Sequence, residues 1–367
     1  MSRFIQLHLL TSYPPANLNR DDLGRPKTAV MGGAPRLRVS SQSLKRAWRT
    51  SDLFQEAMNG HVGTRTKSMG VEIFNRFIEA EVKEKQAFEW AKSIAEPFGK
   101  LKVDKDLAKK LKESNASDEE RLKLYRENVQ IEQLMHFSVE ERAAIDDLVA
   151  VVIERQEAPT EDELKLLRKD HTAVDIALFG RMLASSPSFN TEAAAQVAHA
   201  ISVHKVMVED DFFTAVDDLN SGNEDMGAGH MGETEFAAGL FYLYLCIDCS
   251  LLVDNLGGDE ALAKNALAAL IESAATVAPT GKQNSFASRA RASYLLCEAG
   301  NQQPRSLSVA FLKPVRGADL LGDSIKVLEQ CYGDMDRAYG ACADRRSAVN
   351  VVQGEGTLAE LIACATE

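Results

Sequence analysis

Arg36-Leu37-Arg38-Val39-Ser40-Ser41-Gln42-Ser43-Leu44-Lys45-Arg46-Ala47-Trp48-Arg49 reads as a strand running directly into a helix. Arg36 to Ser40 is short and extended. Ser40 or Ser41 then offers an N-cap, a side-chain oxygen that accepts a backbone N–H of the first turn. Within the helix, Gln42, Lys45, Arg46 and Arg49 recur at i, i+3, i+4 and i+7 and share one face, while Leu44, Ala47 and Trp48 supply the apolar side. Serine hydroxyls and backbone N–H groups at a helix start form an anion site, which lysine and arginine one turn on extend along a chain of phosphates. Asn19, Arg20 and Lys27 reach the same track from the preceding loop. The same residues would also suit a solvated basic face with no ligand.

Charge is distributed to match. The chain of 367 residues carries 42 Lys/Arg against 54 Asp/Glu, a net charge of -12, whereas phosphate binders are usually basic. Yet residues 1–50 hold nine Lys/Arg and two Asp/Glu, which leaves 33 against 52 for the remainder. An acidic body with a basic N-terminal patch points to a localised polyanion site. A hydrophobic fraction of 45% is that of a globular protein. No apolar run approaches the roughly 18 residues of a membrane span, so no membrane partner is expected. The chain enters a strand-like segment at once, without a signal-type apolar region. All six cysteines lie at or after Cys246 without a zinc-type double pair, which disfavours a secreted disulfide scaffold and favours the cytoplasm.

Outward from the opening stretch, Arg3 to Leu10 alternates as a strand, with Ile5, Leu7 and Leu9 on one face. Tyr13 to Ala34 is loop-like, with Pro14, Pro15, Pro26 and Gly32-Gly33. From about 56 to 170 the sequence turns charged and helix-forming, with apolar stripes at Val71, Phe74, Ile78 and Val82 and at Ile145, Leu148, Val149 and Val152. Asp175 to Met182, Phe236 to Leu252 and Leu307 to Phe311 read as strands, Gly257-Gly258-Asp259 opens a helix, and Ala318 to Tyr339 reads as the final helix. Residues 200–235 are too polar for a core and too long for a turn, so they are expected to form a functional loop. The sum is a split α+β sheet with a helical insertion, an order of strands that fits a ferredoxin-like, RNA-recognition-type core. The boundaries fall at 1–55, 56–171, 172–199, 200–235 and 236–367.

Other candidate chemistry is sparse. Asp21 and Asp22 are adjacent carboxylates that suit Mg²⁺-dependent hydrolysis, although loop capping or a salt bridge to Arg20 is the favoured reading. Cys246 and Cys249 have CxxC spacing inside an apolar run, where buried structural thiols are expected. His199 and His204 are five apart, not the four of a metal-binding helix face. His230 lies in the glycine-rich stretch. No GxxxxGK[ST] loop, HExxH or nucleophile elbow is present; Pro279-Thr280-Gly281-Lys282-Gln283 is only a fragment of a phosphate loop. Phe212-Phe213 sit at the edge of the polar loop, where aromatic side chains meet either the protein core or a stacked base, with Met182 and Met231 as companions.

Leu18-Asn19-Arg20-Asp21-Asp22, Gly32-Gly33 and Arg38 to Ala47 strongly resemble the CasC family, the backbone subunit of the type I-E CRISPR Cascade effector. The likeness continues through Val174-Asp175-Ile176-Ala177-Leu178-Phe179-Gly180-Arg181-Met182, Ala198-His199-Ala200-Ile201, Phe212 to Leu219 and His230-Met231-Gly232-Glu233-Thr234-Glu235-Phe236. The insertion 56–170 and the region past about 285 match weakly. Phe212-Phe213 stands where the family has a Trp-Phe pair, and Asn220 to Gly227 is a few residues longer.

The resemblance implies an RNA-recognition-type palm (1–55, 172–199 and 236–367), a helical fingers insertion (56–171) and a protruding thumb loop (200–235). Copies would polymerise along one CRISPR RNA, each thumb displacing a nucleotide at regular intervals, and the segmented guide would pair with target DNA. It implies a phosphate track of Asn19, Arg20, Lys27, Ser40, Ser41, Gln42, Lys45, Arg46 and Arg49, and a base wedge of Met182, Phe212, Phe213 and Met231. The partners implied are neighbouring copies and the large, small, end-capping and guide-processing subunits. No cofactor, metal or catalytic residue is implied. The alternative from another class is a metal-dependent ribonuclease using Asp21 and Asp22.

Overall fold

Phe4 opens strand β1 (Phe4–Ala16) in a computed structural model that describes residues 1–113, 117–215 and 230–367. The alternation of Ile5, Leu7 and Leu9 predicts one buried face, but both faces of β1 are covered, and Gln6 and His8 are as buried as their neighbours. Those polar side chains tolerate burial because they are paired. His8 Nδ1 lies 2.9 Å from Tyr242 Oη and Nε2 lies 3.1 Å from Glu298 Oε2, while Tyr244 Oη donates to Gln6 Oε1 at 2.9 Å.

The further strands are β2 (Thr28–Met31), β3 (Ala34–Val39), β4 (Thr64–Thr66), β5 (Met135–Phe137), β6 (Ala195–Val197) and β7 (Ala200–Ser202). They continue with β8 (Glu209–Ala215), β9 (His230–Asp248), β10 (Ala292–Gly300) and β11 (Arg345–Asn350). The helices begin with α1 (Ser41–Arg49), α2 (Asp52–Ala57), α3 (Met69–Glu79), α4 (Glu84–Ala95), α5 (Leu107–Glu113), α6 (Asp118–Asn128) and α7 (Val139–Arg155). After them come α8 (Val174–Phe179), α9 (Cys249–Asn255), α10 (Glu260–Thr276), α11 (Gln283–Phe286), α12 (Leu320–Tyr339) and α13 (Leu358–Thr366).

The chain divides into two compact units: Met1–Ala57 with Ala195–Ser250 and Lys264–Glu367, and Met58–Ala194 with Leu251–Ala263. The first holds an antiparallel sheet in the order β11-β10-β1-β9-β7-β3-β2, with β6 and β8 also pairing with β9. One core beneath it joins Leu10, Tyr242, Leu296, Leu307, Phe311 and Leu328. The second unit is mainly helical around Phe74, Phe77, Trp90, Phe98, Phe137 and Val149, with β4 and β5 as its small sheet. Ile145, Leu148, Val149 and Val152 on α7 are buried as their spacing predicts. On α3, Phe74 is buried with Ile73 and Phe77, whereas Val71 and Ile78 stay half-buried at the margin of that stripe.

Several expected elements differ. Asp175 to Met182 is helix α8 rather than strand, stopped at Gly180 (φ 79°). A short run of apolar residues has no period that separates a buried strand from a buried helical turn. Leu307 to Phe311 is likewise a single 3₁₀ turn over Ser308–Phe311, anchored by buried Leu307 and Phe311. Tyr13 to Ala34 is not all loop, since β1 runs on to Ala16 and β2 pairs with β3 across Gly32-Gly33. Both glycines have positive φ (59° and 72°), as a two-residue hairpin turn requires. The expected strand to Leu252 ends at Asp248 and gives way to α9, and α12 is not the last element, because β11 and α13 follow.

The stretch 200–235 is not a plain loop either. β8 pairs with the first part of β9 in a ribbon from Glu209↔Phe236 to Ala215↔His230. Polar side chains on both faces hid the strand period there. The expected loop residues Val216 to Gly229 lie outside the described residues. Among the described residues, no helix is long and apolar enough to cross a membrane.

Candidate nucleic-acid interface

Helix α1 starts as its sequence predicts. Ser40 is extended (φ -69°, ψ 145°) and its Oγ accepts the Ser43 N–H at 3.4 Å. The Ser40 N–H donates to Asn19 Oδ1 at 2.9 Å, so the preceding loop clamps the helix start. Leu44, Ala47 and Trp48 are buried, and their burial turns Gln42, Lys45, Arg46 and Arg49 outward. Gln42 and Arg46 are exposed; Ser41, Lys45 and Arg49 are half-buried. Burial lowers the Lys45 pKa, so an anion beside it would restore what desolvation removes.

The loop before the helix is held at both ends. Lys27 N–H donates to Asn19 O at 2.9 Å and Arg38 N–H donates to Lys27 O at 2.8 Å, which brings Lys27 beside β3. Asn17 Nδ2 donates to Gly24 O and to Glu235 O, both at 2.9 Å, and Arg25 pairs with Glu235 at 2.9 Å. Glu235 belongs to the root of the β8–β9 ribbon, so one loop positions both the helix start and the ribbon. Ser40 and Asn19 therefore fix the start of α1, and exposed Arg20 and half-buried Lys27 flank Asn19 in the same loop.

Not every cation in the opening stretch faces solvent. Arg36 is fully buried, donating to Ser202 O and Phe311 O at 2.9 Å each. Arg38 is half-buried, and its Nη1 lies 3.0 Å from Nδ1 of exposed His199. Burial and then the positive charges of Arg38 and Lys27 lower the His199 pKa. His199 is thus gathered into the track by β3 and the turn leading to β7, and neither it nor Arg38 was among the site residues read from the sequence. The cue was available for His199, a titratable residue flanked by Ala198 and Ala200 in its resemblance block.

Strand β8 is exposed along its whole length. Phe212 (61% exposed), Phe213 (43%) and Met231 (64%) all lie on the ribbon. Cross-strand partners share a face, so pairing Phe212 with Glu233 and Met231 with Thr214 sets Phe212 and Met231 on one side. Phe213, opposite Gly232, takes the other side. A Cβ on Gly232 would come within 2.4 Å of the Phe213 ring, so the glycine makes room for that ring. The two phenylalanines expected to act as one wedge are therefore presented on opposite faces.

Met182 is in the helical unit, 85% exposed, on the rim of a groove of about 300 Å³ with Phe98, Lys100, Ile131, Leu134 and Met135. Its neighbours in the motif are structural. Arg181 is buried, pairs with Glu141 at 2.7 Å and also donates to backbone carbonyls, and Asp175 meets His136 Nε2 at 2.8 Å and the Gly63 N–H at 2.8 Å.

The remaining candidates resolve simply. Asp21 Oδ1 accepts the N–H groups of Leu23 and Arg25, both at 2.9 Å, which is the geometry of a loop cap. Among the described residues no group of three or more His, Cys, Asp or Glu could hold a metal ion. Cys246 and Cys249 are buried and free, and burial pushes their thiols up to about 11 and about 12.

With this geometry, a family model described as CT1975-like protein matches residues 5–364. The chain belongs to that family. A chain in a solved "CRISPR RNA-guided surveillance complex, pre-nicking" is similar to this family member at 30% identity and a TM-score of 0.78, over 98% of this chain and 95% of that one. A chain in a second "CRISPR RNA-guided surveillance complex" is similar at 26% identity and a TM-score of 0.59, over 98% and 92%. A comparison with curated proteins gave no match. The resemblance to Cascade backbone subunits read from the motifs is borne out for this CT1975-like chain.

Proposed function

We propose that the chain is the CRISPR RNA-binding backbone subunit of a type I-E Cascade complex. The observation that carries this is the loop 17–27, which clamps the start of a basic helix at Ser40 and the root of an exposed aromatic ribbon at Glu235. A phosphate chain on α1 would thus be held in fixed register with side chains able to part its bases. Lys27, Arg38, Lys45, Arg46 and Arg49, with Ser41 and Gln42, contact phosphates. Ser40 and Asn19 position them, and Arg20 flanks the track.

Phe212 and Met231 on one face of the ribbon, with Phe213 on the other, form a thumb that parts successive bases and displaces one nucleotide, as Met182 does from the fingers. Sequence is then read by guide pairing with target DNA, and protein supplies shape. Support for an RNA-recognition-type palm comes from β1 lying between β9 and β10 with α10 connecting those two strands. The partners are a CRISPR RNA, target DNA through the guide, further copies of this chain and the other Cascade subunits, in the cytoplasm.

The subunit acts as a scaffold, not an enzyme. Asp21 as a loop cap disfavours the ribonuclease reading, because its Oδ1 is committed to two backbone N–H groups. The test is RNA binding by the purified chain, with Mg²⁺ and with chelator, alongside Asp21→Asn. Retention of intact RNA by both proteins supports the scaffold; Mg²⁺-dependent cleavage lost in Asp21→Asn would establish the nuclease instead.

A further inference from the structure

The last helix of the chain brings a second pair of functional groups together, away from the basic track. Leu361, Cys364 and Ala365 share the inner face of α13, and the first and last of these are fully buried. That face lies against β10 and β11, and fully buried Cys297 on β10 lies opposite Leu7 of β1 and Ser347 of β11. The Cys297 and Cys364 thiols are neighbours where α13 packs on β10 and β11, near enough to perturb each other's titration. Arg345 at the start of β11 closes the group: its Nη2 donates to Cys364 O at 3.2 Å and its Nε lies 3.7 Å from a Glu367 carboxylate oxygen.

We propose that Cys364 and Cys297 are an oxidation-sensitive pair, acted on by hydroperoxides, whose disulfide ties the last helix to the central sheet. Cys364 is half-buried and reachable, whereas Cys297 is enclosed, so their roles are fixed by position. Cys364 is the attacking group and Cys297 resolves it. The adjacent Cys297 thiol and the Arg345 guanidinium hold the Cys364 thiol below its usual range, while the adjacent Cys364 and burial push Cys297 up.

The Cys364 thiolate attacks the peroxide oxygen, the O–O bond breaks, and hydroxide or alkoxide leaves, giving a sulfenic acid. The Cys297 thiol then attacks that sulfur, its proton and the sulfenic hydroxyl depart as water, and the S–S bond forms. Two thiols have lost two electrons and the peroxide has gained them. In a reducing compartment such a bond is transient and is reversed by small thiols, which makes it a sensor rather than a staple.

The other cysteines serve as controls in the same molecule. Cys246 and Cys249 are buried, and Cys331 and Cys342 are half-buried like Cys364. The test is limited hydrogen peroxide on the purified full chain, followed by intact and peptide mass spectrometry with a sulfenic-acid trap. The wild-type chain should lose two hydrogens in a Cys297–Cys364 disulfide that dithiothreitol reverses. Cys297→Ser should accumulate trapped sulfenic acid at Cys364, and Cys364→Ser should slow oxidation about tenfold, the order of effect expected when an acidified thiolate is removed. Circular dichroism of both variants checks that they fold. Oxidation spread equally over Cys331, Cys342 and Cys364, or a stable sulfenic acid at Cys364 in the wild-type chain, would overturn the pair.

Discussion

On the proposed phosphate track, Lys45 and Arg49 are the two half-buried cations of α1. They lie one turn apart on α1, with Leu44 and Trp48 anchoring the helix behind them. Each phosphate contact to a single strand contributes about 0.7 to the slope of log affinity against log salt. Lys45→Ala with Arg49→Ala should therefore reduce that slope by about 1.4 and weaken RNA binding without sequence preference. A salt titration checks it, and an unchanged slope removes these two residues from the track.

His199 makes a pH-dependent contribution. Its pKa is lowered by burial and by Arg38 and Lys27, so at neutral pH it is uncharged, and acid adds a cation beside Arg38. Affinity for RNA should rise as pH falls from about 7 to about 5.5, through and below the usual histidine range, and His199→Ala should flatten that rise. Equal pH profiles for the two proteins would exclude His199 from the contact. Why Arg36 and Arg38 part company was not legible in the sequence. Two apart on a strand they point the same way, and only the turn at Phe311, distant in sequence, covers one of them.

The ribbon of β8 and β9 is the element whose reading changed most. Its sequence announces an exposed aromatic pair but conceals a strand, because the alternation is polar on both faces and the register comes from β9. Once the pairing is known, the two phenylalanines separate. Phe213 over Gly232 braces the ribbon, while Phe212 and Met231 stand free of that brace on the other face. Phe212→Ala should leave RNA binding intact and impair pairing of the guide with target DNA. Phe213→Ala should also loosen the ribbon, read as faster amide exchange at residues 209–215. If Phe212→Ala released the RNA, the ribbon would be a grip and not a wedge.

The start of α1 was legible in sequence, because a cap and a periodic basic face are local signals, whereas the β2–β3 hairpin across Gly32-Gly33 read only as loop. Helix α8 and the turn at Ser308 were not legible, because short buried apolar runs take the conformation their surroundings impose. β11 left no periodic trace and is recruited by the open edge of β10, whereas α13 carries a readable signal in its Thr357 cap and the spacing of Leu358, Leu361 and Ala365.

At the scale of the molecule, a buried network ties β1, β10 and β11 together. Glu298 accepts from Arg346 at 2.8 Å, meets His8 at 3.1 Å and pairs with Arg305. Burial alone would raise the Glu298 carboxyl, but its hydrogen bonds with His8 and Arg305 outweigh burial and hold it far below its usual range. A carboxyl whose folded pKa is depressed contributes stability above its unfolded pKa of about 4.3, and that contribution is lost as pH falls below it. Glu298→Gln should cost about 3–5 kcal/mol at neutral pH, the usual cost of breaking a buried ion pair from one side. It should also melt with a shallower pH dependence below about pH 4.5 than the wild-type chain. Parallel acid slopes would place the stabilising charge elsewhere.

As proposed, the chain is a repeating coat on a guide RNA. The most direct measurement is native mass spectrometry of the chain co-expressed with its neighbouring genes, with the bound RNA sized in parallel. One discrete RNA carrying several copies of the chain at fixed stoichiometry is the expected result. An RNA-free monomer, or a ladder of random RNA lengths with no fixed copy number, would contradict it.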